Sequence, residues 1–199
     1  MHLNKIHFVL PILLAALFLL PQCTSPSGKT AFGEAEKTAY LEKGKAIAAE
    51  TFANLSGRLA AALESGGVQQ AVPVCQAAAM SITDSLSQLH NAVIRRTSLQ
   101  VRNPKNAPAE WEKKVLQDFE TKAKAGGEIK PFVQMLDDGS VAFAAPIRIM
   151  PLCLQCHGKP GETLTPDYDA IIKTLYPADQ AIGYADGQLR GMWSIVFKK

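Results

Sequence analysis

Within residues 150–159, MPLCLQCHGK, two of the chain's four cysteines and one of its four histidines fall inside five positions. A Cys-x-x-Cys pair serves three chemistries, and each demands different neighbours. A redox dithiol stands at a helix N-terminus that follows a strand in a βαβ pattern. A structural zinc needs a second short-spaced ligand pair. A c-type haem needs two thiols for thioether bonds and, directly after the second, a histidine for the iron. Cys153, Cys156 and His157 stand at that third spacing, so the fold must bring these side chains together beside room for a porphyrin.

The N-terminus bears on the choice. MHLNKIHFVLPILLAALFLLPQCTS sets Lys5 ahead of an apolar run from Phe8 to Leu20, the charge-then-hydrophobe order of an export signal. That run, broken by Pro11, is shorter than the roughly 20 residues of a spanning helix. Cys23 lies where a bacterial lipoprotein signal is cut, and TSPSGKT after it suits a tether, although Gln22 stands where a small residue is usual. The expected organisation is a signal peptide over 1–22, a tether over 23–35 and one domain over 36–199, held on the periplasmic side of a membrane by a lipid on Cys23.

Export places the remaining cysteines in an oxidising compartment, where they would ordinarily pair. With Cys23 lipidated or removed and Cys153 and Cys156 committed to one haem c, Cys75 is left single. Zinc is poorly served, because Cys75 and His90 are the only distant candidates and lie fifteen residues apart. A thioredoxin-like site lacks its βαβ unit.

Roughly 165 exported residues suffice for one domain with its own core. A net charge of +3 without a lysine or arginine run excludes a nucleic-acid surface. Helical periodicity runs over 36–65, with Phe52, Leu55, Leu59 and Leu63 on one stripe and Gly66-Gly67 as its stop. A second helix, about 68–89, tolerates Pro73 only in its first turn. NAVIRRTS alternates as a strand, and a helix capped by Asn106 runs on to Gly126-Gly127. Strand pairs are expected around Asp138-Gly139 and again around Asp186-Gly187, with a short helix at about 166–176 between them. The sum is α+β: an antiparallel sheet of about five strands with long N-terminal helices.

His157 is the expected proximal iron ligand, and the residues themselves leave the second axial ligand open. Met80, Met135, Met150 or Met192 would raise the potential, His90 would give a bis-histidine iron, and Cys75 a thiolate that lowers it. Each methionine also reads as core filler, and Cys75 as a small buried hydrophobe. In the first turn of its helix, two residues after Pro73, Cys75 would meet free N–H groups that favour a thiolate.

AVPVCQAAA, RRTSLQVRNPKNAPAEWEKKVLQDF, AAPIRIMPLCLQCHGKPG and GYADGQLRGMWSI, in that order over about 36–198, resemble the successive motifs of the Tll-like family of bacterial c-type haem domains. The resemblance implies a PAS-like fold and associates the cysteine of VPVC, here Cys75, with the iron. Arg95 and Arg96 are candidates for a haem propionate, and adjacent strand positions allow only one of them to face it. Arg102, Asn103 and Asn106 read as loop organisers, and Trp111 as packing on either haem or sheet. The expected function is a non-enzymatic electron carrier or redox-responsive protein with a redox or signalling partner. The alternative is a haem-based sensor of a diatomic gas or oxidant acting through a partner protein. A haem enzyme would need a distal acid–base pair, for which the exported chain offers only His90.

The lipid anchor is directly testable. Mass spectrometry of the native N-terminus should find an acylated Cys23; a free N-terminus downstream of it rules the anchor out.

Overall fold

A computed structural model of the chain describes Phe32–Lys199, and the expected signal, Cys23 and residues 24–31 of the tether lie outside the described residues. Helix α1 (Glu34–Leu89) leaves helical geometry at Gly66 and Gly67, where the sequence predicts the break. Gly67 (φ 62°, ψ −155°) needs glycine, because that region is closed to L side chains. Two arms result, 34–65 and 68–89.

The first arm docks through a stripe that differs from the predicted one. Gly44, Ile47, Ala48 and Thr51 are buried at helical spacing, whereas Phe52 is 44 % exposed. Size decides this at the closest approach: the Phe143 ring fills the space a Cβ on Gly44 would need.

The sheet consists of β1 (Ala92–Thr97), β2 (Phe132–Met135), β3 (Val141–Arg148) and β4 (Leu189–Phe197), in the order β1-β4-β3-β2 with every pair antiparallel. Four strands stand where about five are predicted. The Asp138-Gly139 hairpin forms, with Gly139 at φ 78° and Asp138 Oδ1 accepting from the Ser140 N–H at 2.8 Å. Asp186-Gly187 turns the chain into β4 alone, because the segment before it forms no strand. Its donors are engaged elsewhere: the Gly183 and Tyr184 N–H groups bond the Gly158 and His157 carbonyls at 2.8 and 3.0 Å.

Alternation along the strands divides the core. Ile94, Phe143, Trp193 and Ile195 pack against α1, while Ala144 and Met192 pack against α2 (Glu110–Lys124) through Val115, Leu116 and Phe119. The predicted Asn106 cap is not used. A 3₁₀ turn covers Pro104–Asn106, and the first turn of α2 is closed instead by Glu112, whose Oε2 accepts from the Ala109 N–H at 2.7 Å. After a second 3₁₀ turn (Pro151–Cys153) come the single-turn α3 (Leu154–His157) and α4 (Pro166–Leu175), capped by Thr165. Val68 and Val72 of the second arm meet Leu164 and Ile172 in a third cluster, with Cys156 and Tyr176 at its border.

Two glycines of α1 should therefore respond in opposite ways. Gly44→Ala should lower the unfolding free energy by about 1–3 kcal/mol through overpacking against Phe143. Gly57→Ala, with nothing within 4 Å of its new methyl, should raise it by about 0.5–1 kcal/mol. Urea denaturation measures both; equal effects would contradict the docking described.

Candidate haem site

Cys153, Cys156 and His157 occupy positions i, i+3 and i+4 of one helical turn and so share a face. Both thiols are free, as is that of Cys75. A four-residue helix has no stability of its own, so its geometry must be imposed from outside. Residues 179–184 impose it. Besides the two backbone bonds from Gly183 and Tyr184, the Ala181 carbonyl accepts from His157 Nδ1 at 2.6 Å. A carbonyl only accepts, so Nδ1 carries the proton and Nε2 keeps its lone pair. Burial, together with the charges of Arg102 and Arg190, holds the imidazole well below its ordinary pKa and therefore neutral. The Tyr184 ring stands edge-on to it at 6.3 Å, with the Arg190 guanidinium 5.5 Å above the Tyr184 ring.

Cys75 belongs to the same charged neighbourhood, though not by the predicted route. Its helical arm begins at 68, so Pro73 lies inside the helix and Cys75 two turns in, beyond the free N–H groups of a helix start. Burial raises its thiol pKa, opposed by Arg96 and Arg102, and Cys75 in turn acts on Cys156 and Tyr176. What favours a thiolate here is the arginines, not the helix dipole.

The two neighbouring arginines divide as strand geometry requires. Arg95 faces α2, where Nη1 meets Glu112 at 3.2 Å and Nη2 donates to the Ala107 carbonyl at 2.8 Å. Arg96 faces the other way; burial lowers its pKa, Cys75 and Tyr176 are its charge neighbours, and it forms no hydrogen bond among the described residues. Arg102 does more than organise a loop: Nε donates to Asp179 at 3.0 Å and Nη2 to the Cys156 and Ala181 carbonyls. Asn103 caps the 3₁₀ turn at Lys105, and the Asn106 carbonyl accepts from Thr97.

Of the other axial candidates, His90 and Met192 are engaged elsewhere, Met135 and Met150 are exposed, and Met80 shares a groove with Arg102. His90 bonds Glu50 at 2.7 Å. Met192 is wholly buried in the α2-side core, beside a partly buried Trp111 that packs on the sheet. Met135 and Met150 are exposed. Met80 lines two grooves along the second arm, one with Arg102 and Tyr176, the other with Arg95 and Arg96.

Glu112, Asp179, Ala181, Tyr184 and Arg190 are not among the residues predicted for the site. Only Asp179 carried a local signal: its Oδ1 accepts from Ala181 N–H at 2.8 Å, the i to i+2 turn that aspartate favours. Arg190 Nε is buried without a hydrogen-bond partner among the described residues.

Fold and site together define an α+β domain in which a sheet-borne strap presents two free thiols and a neutral imidazole from one turn. The chain belongs to the Tll0287-like family, whose model matches residues 29–197. It is similar to the crystal structure of the cyanobacterial haem protein Tll0287, with a TM-score of 0.57 at 25% identity, covering 79% of this chain and 95% of that one. No curated protein matches the chain.

Arg95 and Arg96 should separate by stability. In protein prepared without haem, Arg95→Ala leaves Glu112, 2 % exposed, without its cation and should lower the unfolding free energy by about 1–3 kcal/mol. Arg96→Ala removes a desolvated cation that has no protein acceptor and should not lower it. Equal losses in urea denaturation would contradict this division of roles.

Proposed function

We propose that the chain is an exported monohaem c-type cytochrome of the periplasmic side, tethered through Cys23, that carries electrons or responds to redox state. One observation carries the reading: the Ala181 carbonyl takes the Nδ1 proton of His157, which leaves Nε2 as a donor on the face that also holds two free thiols. The family's cyanobacterial haem protein supports it.

The donor set suits haem c. Cys153 and Cys156 would supply the thioethers and His157 the first axial nitrogen. Cys75 would be the second donor, as the remaining free thiol, whose charge bears on Cys156 and whose thiolate Arg96 and Arg102 favour. Arg96, and with it Arg190, would face the anionic edge of the porphyrin, because burial lowers the pKa of both, Arg96 forms no hydrogen bond among the described residues and Arg190 Nε is buried without a partner there. Arg95 takes no part, since Glu112 holds it on the opposite side of β1. When bound, the group would supply one-electron chemistry at iron. The chain's residues hold the imidazole neutral and set the charge around it.

A PAS-like reading of the fold belongs with this proposal, supported by an antiparallel sheet that pairs its first strand with its last. We read the protein as non-enzymatic, because His90, the residue an acid–base pair would draw on, is bonded to Glu50. The partner is then a redox or signalling protein. Sensing of a gas or oxidant is the second reading, favoured by the position of Cys75. It stands on an arm set off from the first by the Gly66-Gly67 break and packed on α4, so a ligand that displaced the sulfur would act on a separable element.

The test uses the purified protein. Acidified acetone should leave the red colour on the polypeptide; colour in the organic layer ends the c-type assignment. Cys75→Ala should abolish the low-spin ferric electron paramagnetic resonance signal and raise the potential, because a thiolate stabilises ferric iron. An unchanged signal and potential would remove Cys75 as ligand. Rapid CO binding by the reduced wild type would select the sensor over the carrier.

A further inference from the structure

The Ala181 peptide is held from every side. Its N–H donates to Asp179 Oδ1 at 2.8 Å. Its carbonyl accepts from His157 Nδ1 at 2.6 Å and from Arg102 Nη2 at 3.3 Å, so both lone pairs are engaged. Arg102 Nε is fixed by Asp179 Oδ2 at 3.0 Å, and Nη2 also donates to the Cys156 carbonyl. The adjacent Gln180 N–H bonds the Val101 carbonyl at 3.0 Å, lashing the strap to the loop that bears Arg102. The Arg102 and Asp179 side chains are 14 % and 3 % exposed, and a buried pair of this kind is weak as a stabilising device compared with apolar packing. Its geometry suits a different task. The fork of one guanidinium joins the backbone of the Cys-x-x-Cys-His turn to the peptide that accepts the histidine proton.

We propose that Arg102 and Asp179 are a positioning pair for His157, and that Arg102, by sharing the Ala181 carbonyl, limits how strongly that oxygen draws on the imidazole proton. This rests on the haem reading above. An oxygen that already accepts from a guanidinium is a poorer acceptor for a second donor. Without Arg102 the carbonyl takes more of the Nδ1 proton, the imidazole gains anionic character and the ferric iron gains stability. Partners of a metal-bound histidine act in this way. A planar fork is required, because the two carbonyls and Asp179 lie around one guanidinium and an ammonium cannot span them.

The experiment uses the haem-loaded full chain, with covalent attachment first verified in the wild type by acidified acetone. A wild type without covalent haem ends the underlying reading before any variant is measured. Arg102→Lys keeps the charge and loses the fork; Arg102→Gln loses both; Asp179→Asn keeps an oxygen for the Ala181 N–H and frees Arg102. Arg102→Lys should move the ferric/ferrous equilibrium about tenfold toward ferric, about 59 mV for one electron, and Arg102→Gln at least as far. Asp179→Asn, which leaves the Arg102 charge uncompensated, is read by the Nδ1 proton coupling, and each variant should alter that coupling in pulsed electron–nuclear double resonance of the ferric form. A wild-type potential in Arg102→Lys would reduce Arg102 to a point charge and overturn the proposal. So would haem-loaded variants with unchanged potential and coupling, or failure of all three to fold, which would assign the pair to stability alone.

Discussion

The hydrogen bond from His157 Nδ1 to the Ala181 carbonyl is the constraint on which the site depends. Four helical residues cannot order themselves, and two free thiols with one imidazole have no reason to share a face unless something external holds the turn. Residues 179–184 do so with backbone and side-chain bonds together. The consequence reaches the sheet. A segment whose donors serve the Cys-x-x-Cys-His turn cannot also form a strand ladder, so the sheet has four strands. The strap then runs directly into β4, which pairs with both β1 and β3, so the turn is referenced to one of the two central strands of the sheet.

The helical side supplies what the turn lacks. The break at Gly66-Gly67 lets one arm of α1 dock on the sheet through Gly44 and Ala48 while the other packs on α4 through Val68 and Val72. The second arm carries Cys75 into the charge neighbourhood of Cys156. An uninterrupted helix would dock both arms along one line, and the stripe that suits Phe143 would then dictate where Cys75 faces. The parity of β1 completes the arrangement: Arg95 is given to Glu112 and α2, Arg96 to the cysteine side.

Features governed by local chemistry were legible in the sequence. The Gly66-Gly67 break, the Asp138-Gly139 hairpin and the short helix expected at about 166–176 each depend on preferences of a few adjacent residues. Of the site, the spacing of Cys153, Cys156 and His157 was plain, and strand parity allowed one of Arg95 and Arg96 to face it. What was not legible depends on competition between distant groups. Asp186-Gly187 has the same hairpin chemistry as Asp138-Gly139, yet the backbone ahead of it is claimed by His157 and Gly158. Asn106 is a good cap by type, but Glu112, drawn inward by Arg95, closes the helix instead. The Phe52 stripe is the more hydrophobic one, but the Phe143 ring admits only the Gly44 stripe. Tyr184 lies in a turn-rich segment and Arg190 at the start of β4, where nothing local marks an arginine that stands over a tyrosine beside the histidine.

The charges around the turn pull in a definable direction. Arg96, Arg102 and Arg190 all act on His157 to keep it neutral, and Asp179, bonded to the Ala181 N–H, is neutralised by Arg102. Desolvated cations beside a redox centre favour the state with the extra electron, while a thiolate favours the state without it. On the haem reading the two influences oppose each other, and each arginine takes a different part. Arg102 is spent on backbone carbonyls, Arg190 lies over Tyr184, and Arg96 keeps donors unmet beside Cys75. Arg96 is therefore the cation that gains most from negative charge on the sulfur, and the one whose field that charge cancels. Were Cys75 the second ligand, a change there would alter both the ligand and the field it balances, coupling the sulfur to the redox state more tightly than ligation alone.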